Sequence, residues 1–211
     1  MMIILLLLLS YVFNTYSLIL FGSQGSRSPL VNWYLHELDI PFTMGNRIEN
    51  PHPFGQIPCL KDESTIVFES GAILMYLADK YDKELNTPEK RSAVNTWLVW
   101  ANSSLDPILF KENERGQVIG TGAGVENKKL RILDSILSKS KYLLGDNKFS
   151  VADVAVASYL LYIPQFFGRS INFSRYPAIA SYMLTCCKRP AYRKAYPTET
   201  DQIVEICESF Q

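Results

Sequence analysis

The stretch FGQIPCLKDESTIVFESGAILMYLADKY, residues 54–81, carries the clearest secondary-structure pattern in the sequence. Two short apolar segments, IPCLKD and TIVFES, flank the acidic turn Asp62-Glu63-Ser64, and this pattern predicts a pair of strands joined by a tight turn. GAILMYLADKYD follows directly, with apolar side chains at helical spacing, and predicts an amphipathic helix. Pro58 cannot donate to a strand ladder, so its position at the start of this hairpin requires a reason.

The residues before this stretch predict a further strand, a helix and a short strand. SLILFGS (17–23) is a β-rich apolar run that ends at glycine. SPLVNWYLHEL follows, with Ser28 as the expected N-cap and Pro29 in the first turn. PFTMG is the second short strand, and NRIENPHPFGQ has the proline and glycine content of a loop. Strands and helices alternate here, which indicates a small mixed sheet with helices packed on it.

The rest of the chain predicts helices. KELNTPEK (83–90) has the polarity of a linker, and no strand is expected after it. The sequence therefore divides into an apolar leader at 1–16, a sheet domain at 17–84 and a helical domain at 88–211. The leader, MMIILLLLLSYVFNTYS, is short for a membrane span, and three interpretations stay open: a cleaved targeting segment, a membrane anchor or a misassigned gene start.

Composition excludes several function classes. The 211 residues hold 21 Lys+Arg and 21 Asp+Glu, so the zero net charge gives no general attraction to nucleic acid. The four cysteines have neither CxxC nor zinc-ligand spacing, which suits a reducing compartment such as the cytoplasm. The two histidines, His36 and His52, are isolated, and no metal site is expected.

Two segments carry a resemblance to a known family. FGQIPCLKD…VFESGAILMYLADKY and GDNKFSVADVAVASYL resemble, in order and separation, two signatures of the soluble glutathione transferases. SRSPLVNWYLHELDIPF and ANSSL are most similar to the cyanobacterial-type (chi) class. The resemblance covers about residues 18–200 and implies an α/β thioredoxin-like N-terminal domain followed by an all-α C-terminal domain. Ser150 and Asp153 of the second signature predict a capping box, a structural role.

The resemblance also implies ligands and partners. Glutathione is the expected co-substrate, an electrophilic small molecule the second substrate, and a homodimer the expected assembly, with Phe54 and the helix from Gly71 near its interface. The Ile57-Pro58 bond is expected to be cis, so that the Ile57 backbone pairs with the cysteinyl part of glutathione. The expected glutathione-binding residues are Gln56, Ile57, Pro58, Glu69 and Ser70.

The expected chemistry is the stabilisation of a thiolate. Family members place a tyrosine, serine or cysteine after the first strand, and FGSQGSRSPL has only serines there. We expect Ser26 to be this catalytic residue, with Ser23 in reserve and Ser28 as the helix cap. Arg27 either adds positive potential beside the thiolate or is an exposed loop residue.

Other features leave the function open at this point. TMGNRIENPHPFGQ is shorter than the family's segment for the glycine end of glutathione, with Asn46, Arg47 and His52 as candidate substitutes. The shortening suits the alternative of a non-catalytic glutathione-transferase-like binding or scaffold protein. A peroxidase or isomerase that uses the same thiolate is a further alternative. Trp97, Trp100 and Phe110 are candidate walls of the second-substrate pocket, or simply core.

Overall fold

The computed structural model describes residues 18–115 and 117–211, so the predicted leader at 1–16 lies outside the described residues. The N-terminal part holds four strands, β1 (Leu18–Phe21), β2 (Thr43–Met44), β3 (Cys59–Asp62) and β4 (Thr65–Phe68). Their order in the sheet is β2-β1-β3-β4; β1 and β2 run parallel, and the other neighbours are antiparallel. Helices α1 (Ser28–Glu37) and α2 (Ser70–Tyr81) pack against the sheet and against each other.

The C-terminal part is a bundle arranged around one buried helix. Its helices are α3 (Pro88–Trp100), α4 (Asp106–Leu109), α5 (Lys128–Leu137), α6 (Val151–Phe167), α7 (Pro177–Cys187), α8 (Pro190–Ala195) and α9 (Thr200–Glu208). A π-helical turn, Ala101–Leu105, connects α3 to α4. Every side chain of α6 from Val151 to Pro164 is buried. The fold is thus the predicted one, a thioredoxin-like sheet domain followed by a helical domain.

Helix α6 begins with the predicted capping box. The backbone N–H of Ser150 donates to the Asp153 carboxylate over 2.9 Å, and the same carboxylate accepts from the Leu143 N–H and the Tyr182 hydroxyl. The segment Val151–Ser170 is long and apolar enough to cross a membrane, but 78% of its apolar window is buried inside the protein. That burial is what a core helix of a globular domain requires.

Several ion pairs join the sheet domain to the helical domain, and two of them are short. Glu37 at the end of α1 binds Arg189 before α8 through two hydrogen bonds of 2.6 and 2.7 Å. Arg27 before α1 donates to both carboxylate oxygens of Asp106 over 2.8 and 2.7 Å. The two pairs thus fix the opposite ends of α1 against the helical bundle.

Two local expectations were wrong. Helix α1 begins at Ser28 with Arg27 at the N-cap, and the Ser28 hydroxyl caps nothing. Instead, the hydroxyl oxygen of Ser26 accepts from the Ser28 N–H over 3.1 Å, because the turn brings it back over the first helical residue. A two-stranded hairpin, β5 (Lys111–Glu112) and β6 (Val118–Gly120), also follows α4, where no strand was expected.

The hairpin is short, with a polar strand KE and a second strand VIG that has only two apolar side chains, so it lacks the alternating apolar pattern that identifies a strand from sequence. Its turn depends on Asn113. The side-chain oxygen of Asn113 accepts from the backbone N–H groups of Arg115 and Gln117, both over 3.0 Å. Such an Asx turn is a local device that stabilises a hairpin with little apolar burial.

Candidate active site

A polar cleft of about 600 Å3 opens where the sheet domain meets the helical domain. All five predicted glutathione-binding residues line it. The lining residues are Arg27, Arg47, His52, Gly55, Gln56, Ile57, Pro58, Glu69, Ser70 and Arg115. Three arginines against one carboxylate, that of Glu69, make this lining positively charged, which suits an anionic ligand.

The Ile57-Pro58 bond is cis, as predicted. Pro58 is buried, whereas Ile57 is only partly buried and lies just before strand β3 begins. Within the described residues, the backbone of Ile57 takes part in no protein hydrogen bond. Its N–H and C=O groups are therefore free to pair with an extended peptide ligand in the manner of an added strand.

Glu69 and Ser70 form the start of α2. Glu69 is exposed and has φ +68°, a left-handed conformation that costs energy for any residue with a side chain and is concentrated at functional sites. No side chain caps this helix, so its first N–H groups are open to a ligand. The buried Ser70 hydroxyl lies beside them, and together these donors and the helix dipole favour a carboxylate.

Asn102 supports this helix start from the helical domain, and the sequence did not identify it. Its side-chain oxygen accepts from the Tyr159 hydroxyl over 2.8 Å and, more weakly, from Ser70 over 3.4 Å. A Cβ on Gly71 would approach the Asn102 amide nitrogen to 2.8 Å, so glycine is needed for this close contact. The π-helical turn that holds Asn102 is a feature often found at functional sites. In the sequence, the ANSSL resemblance pointed to a class of protein and not to a role for Asn102.

Ser26 lies at the other part of the site, in the turn between β1 and α1. Its hydroxyl donates to the Ser23 carbonyl over 2.8 Å and lies 2.7 Å from the Ser28 hydroxyl oxygen. Of the three candidate serines, Ser26 lines the cavity beside Ile57, while Ser23 and Ser28 line a different one. Of the three, Ser26 is therefore the serine that shares a cavity with Ile57, although the hydrogen bonds of its hydroxyl lie within the turn.

That cavity, of about 230 Å3, adjoins the polar cleft and has mostly helical-domain walls. It is lined by Gly25, Ser26, Arg27, Ile57, Asp106, Phe110, Glu112, Val118, Tyr162 and Phe166. Phe110, one of the three candidate pocket residues, lines this cavity. The other two, Trp97 and Trp100, line a separate apolar pocket between α3 and α5, because the face of α3 that carries them turns toward α5.

Arg27 belongs to the site and is not a free loop residue. Its guanidinium binds Asp106 and, over 3.3 Å, Glu112, and it lies 5.8 Å from the centre of the Tyr159 ring. Burial acts to lower the pKa of Arg27, but these neighbours outweigh it and the net pKa is raised. Arg27 therefore stays charged beside Ser26, with much of its charge already balanced by two carboxylates.

The other polar candidates have local roles. Asn46 caps a short 3-10 turn by accepting from the Ile48 N–H over 3.0 Å, and it does not line the cleft. His52 is buried, lines the cleft and accepts at Nδ1 from the Phe54 N–H over 3.0 Å.

Cys59 is fully buried, and burial raises the pKa of its thiol, which makes it a poor nucleophile. Within residues 18–115 and 117–211, no group of three or more His, Cys, Asp or Glu side chains could hold a metal ion.

The fold and the cleft define a class of two-domain protein: a thioredoxin-like domain with a cis-proline edge, facing a helical domain across a polar cleft that is rich in arginine. Comparisons with known proteins agree. Residues 47–79 match the N-terminal domain model of glutathione S-transferase, and residues 107–190 match its C-terminal domain model. A glutathione S-transferase of Hyoscyamus muticus is 32% identical over 161 residues, which cover 68% of this chain and 75% of that one. The chain belongs to the glutathione S-transferase family.

Other relatives come from distant organisms. A glutathione S-transferase domain-containing protein of Dictyostelium discoideum is 31% identical over 159 residues. The chain spans only 61% of that relative's length and 49% of a second one from the same organism.

Among solved structures, the glutathione transferase URE2P6 of Phanerochaete chrysosporium, in complex with oxidized glutathione, has a TM-score of 0.70 at 26% identity. That alignment covers 90% of this chain and 98% of the other. A theta class enzyme of Xanthomonas axonopodis pv. citri with glutathione bound has a TM-score of 0.66 at 22% identity, over 85% and 96% of the two chains. At that identity the likeness concerns the fold alone.

Proposed function

We propose that the protein is a glutathione transferase that binds glutathione in the polar cleft and transfers its thiolate to an electrophilic small molecule. The observation that carries the proposal is the junction at Ile57. The free backbone edge of this residue lies in the wall of both cavities, next to Ser26 on one side and within the lining that holds Glu69 and Ser70 on the other.

The proposed binding mode follows the charges of the cleft. The α-carboxylate of the γ-glutamyl group lies at the start of α2, against Ser70 and the open N–H groups, and Glu69 accepts from the ammonium group. The cysteinyl backbone pairs with Ile57 across the cis-proline edge, with Gln56 and Pro58 as neighbouring contacts. This arrangement directs the thiol toward Ser26.

The proposed chemistry needs modest energies. A cysteine thiol ionises near pH 8.5, and lowering its pKa by about two units requires about 2.7 kcal/mol of preferential thiolate stabilisation. One hydrogen bond to a charged acceptor supplies about 1.5–3 kcal/mol. The Ser26 hydroxyl can be that donor, because the Ser28 hydroxyl 2.7 Å away and the Ser28 N–H support its oxygen from behind. Arg27 adds positive potential nearby.

The second substrate is proposed to bind in the smaller cavity. Phe110, Val118, Tyr162 and Phe166 give it apolar and aromatic walls, as expected for a small organic electrophile with its reacting atom toward Ser26. The residues that line this cavity do not identify one electrophile. A peroxide or an isomerisable substrate bound there would react with the same thiolate.

One observation favours a second candidate, a glutathione-binding protein without transferase activity. The Ser26 hydroxyl already donates to the Ser23 carbonyl inside the turn, so donation to a thiolate requires it to rotate away from that acceptor. If the rotation does not occur, the cleft binds glutathione without lowering the pKa of its thiol.

Several further features are part of the proposal. The chi-type class assignment rests on the SRSPLVNWYLHELDIPF and ANSSL segments, while relatives with a named class include a theta enzyme. We propose a homodimer by family resemblance, with Phe54, which is 75% accessible, near its interface. We also propose a cytoplasmic location and domain bounds at 17–84 and 88–211.

The test is calorimetric titration of the purified chain with glutathione, followed by a conjugation assay with an activated aryl halide. Saturable binding together with conjugation above the uncatalysed rate supports the transferase. Binding without rate enhancement supports the second candidate. Absence of binding rejects both.

A further inference from the structure

The β5–β6 hairpin brings a residue of the helical domain into the polar cleft. Arg115 lies in the turn of this hairpin and lines the cleft together with Arg47 of the sheet domain. The Asx turn of Asn113 fixes the backbone of Arg115, and the Asn113 side-chain amide also donates to the Gln117 side chain over 3.0 Å. The turn is therefore built to present the residue at its tip.

The cations of the cleft differ in what they bind. Arg27 is paired with Asp106 and Glu112. In the part of the chain that the structure describes, the guanidinium groups of Arg47 and Arg115 take part in no ion pair. Two guanidinium groups without an ion-pair partner in one cleft attract a carboxylate, because arginine binds planar anions through two parallel hydrogen bonds.

The charges of glutathione match this arrangement. The tripeptide carries one ammonium group and two carboxylates at neutral pH. In the proposed binding mode, Glu69 binds the γ-glutamyl ammonium group and the start of α2 binds the γ-glutamyl carboxylate. The glycyl carboxylate is the one charged group that still lacks a proposed partner. Arg47 and Arg115 are the unpaired cations among the described residues that line the cleft.

The same hairpin also reaches the smaller cavity. Glu112 of β5 and Val118 of β6 line that cavity, and Glu112 binds Arg27 beside Ser26. One hairpin thus contacts the sites proposed for both halves of a glutathione conjugate.

We propose that the β5–β6 hairpin is a substrate-binding arm, in which Arg115 acts with Arg47 to bind the glycyl carboxylate of glutathione. This inference rests on the proposed function. It also accounts for the shortened loop at 43–56, since a cation from the helical domain takes over part of the binding that the sheet domain would otherwise supply.

The experiment measures dissociation constants of the full chain and of Arg115→Gln for glutathione and for its glycyl ethyl ester, which lacks that carboxylate. Arg115→Gln should weaken glutathione binding about five- to twentyfold, the loss of one charge-assisted contact, and leave ester binding unchanged within twofold. Lys111→Gln is the matched control: it removes an equal charge from an exposed position on the same hairpin and should affect neither ligand.

Three results would overturn the inference while the proposed function stands. These are unchanged glutathione binding in Arg115→Gln, equal weakening for both ligands, or the same effect in Lys111→Gln. If the wild-type chain binds neither ligand, the proposed function itself fails, which is a different and recognisable outcome.

Discussion

Replacing Ser26 with alanine removes the hydroxyl that we propose stabilises the glutathione thiolate. In the structure Ser26 lines the cavity beside Ile57, and its hydroxyl oxygen accepts from the Ser28 N–H at the start of α1. The substitution should therefore reduce both the rate of conjugation and the stability of the fold, and the two effects can be measured separately.

The magnitudes follow from the contacts. Loss of one donor to a charged acceptor, worth about 1.5–3 kcal/mol, lowers kcat about ten- to hundredfold at neutral pH. Loss of the acceptor at the helix start lowers the free energy of unfolding by about 1 kcal/mol. The dissociation constant for glutathione should change little, because Ile57, Glu69 and Ser70 are untouched. The rate loss should shrink above pH 8.5, where the thiol ionises without assistance.

The assay is steady-state conjugation of an activated aryl halide over a range of pH, with urea unfolding of each variant. Ser23→Ala is the matched control, since Ser26 donates to the backbone carbonyl of residue 23 and the substitution retains it. Ser28→Ala removes a buried hydroxyl but keeps the N–H that Ser26 accepts from; it should lower stability by about 1 kcal/mol and affect the rate less than Ser26→Ala.

Two results would refute this reasoning. If Ser23→Ala abolishes activity while Ser26→Ala retains it, the choice of serine is wrong and the mechanism stands. If all three variants remain active with the wild-type pH profile, no serine hydroxyl stabilises the thiolate, and backbone N–H groups of the turn become the better candidates.

Three further predictions concern other parts of the molecule. Glu37→Gln should lower the free energy of unfolding by about 2–3 kcal/mol in urea titration, because it breaks the two-bond ion pair with Arg189; an unchanged value would show that this pair does not hold the domains together. All four cysteines are buried, so Ellman's reagent should titrate no thiol rapidly in the native protein and four after unfolding, and a fast native thiol would contradict this burial. Burial and, to a smaller extent, Lys194 lower the pKa of His36; the unfolded chain then binds more protons, so stability is intact above pH about 6.5 and falls as the pH drops below it. His36→Gln should remove that part of the slope, which thermal unfolding at several pH values measures.

Much of the sheet domain could be predicted from the sequence, because its signals are local. The turn at Glu63, the apolar segments that flank it and the apolar face of α2 each depend on residues close together in the chain. The cis bond at Pro58 was also predicted, but through the family resemblance, since the isolated residues would equally suit an ordinary turn.

The features that were missed depend on contacts between distant residues or on weak local patterns. A serine directly before Pro29 looks like a helix cap, yet the turn brings Ser26 to that N–H instead. The periodicity of α3 places Trp97 and Trp100 on one face, but only the bundle determines that α5 covers it. Arg115 reaches the cleft through a hairpin that lacks an alternating apolar pattern, so its position in the cleft lining could not be predicted from the sequence.

The central claim is that the protein activates glutathione as a thiolate. The most direct measurement is a pH titration of the glutathione thiol in the saturated complex, in which ultraviolet difference spectroscopy monitors the thiolate. The account predicts ionisation at about pH 6.5, two units below the free thiol, and a return toward pH 8.5 in Ser26→Ala. A bound thiol that titrates near pH 8.5 in the wild-type complex would contradict the account.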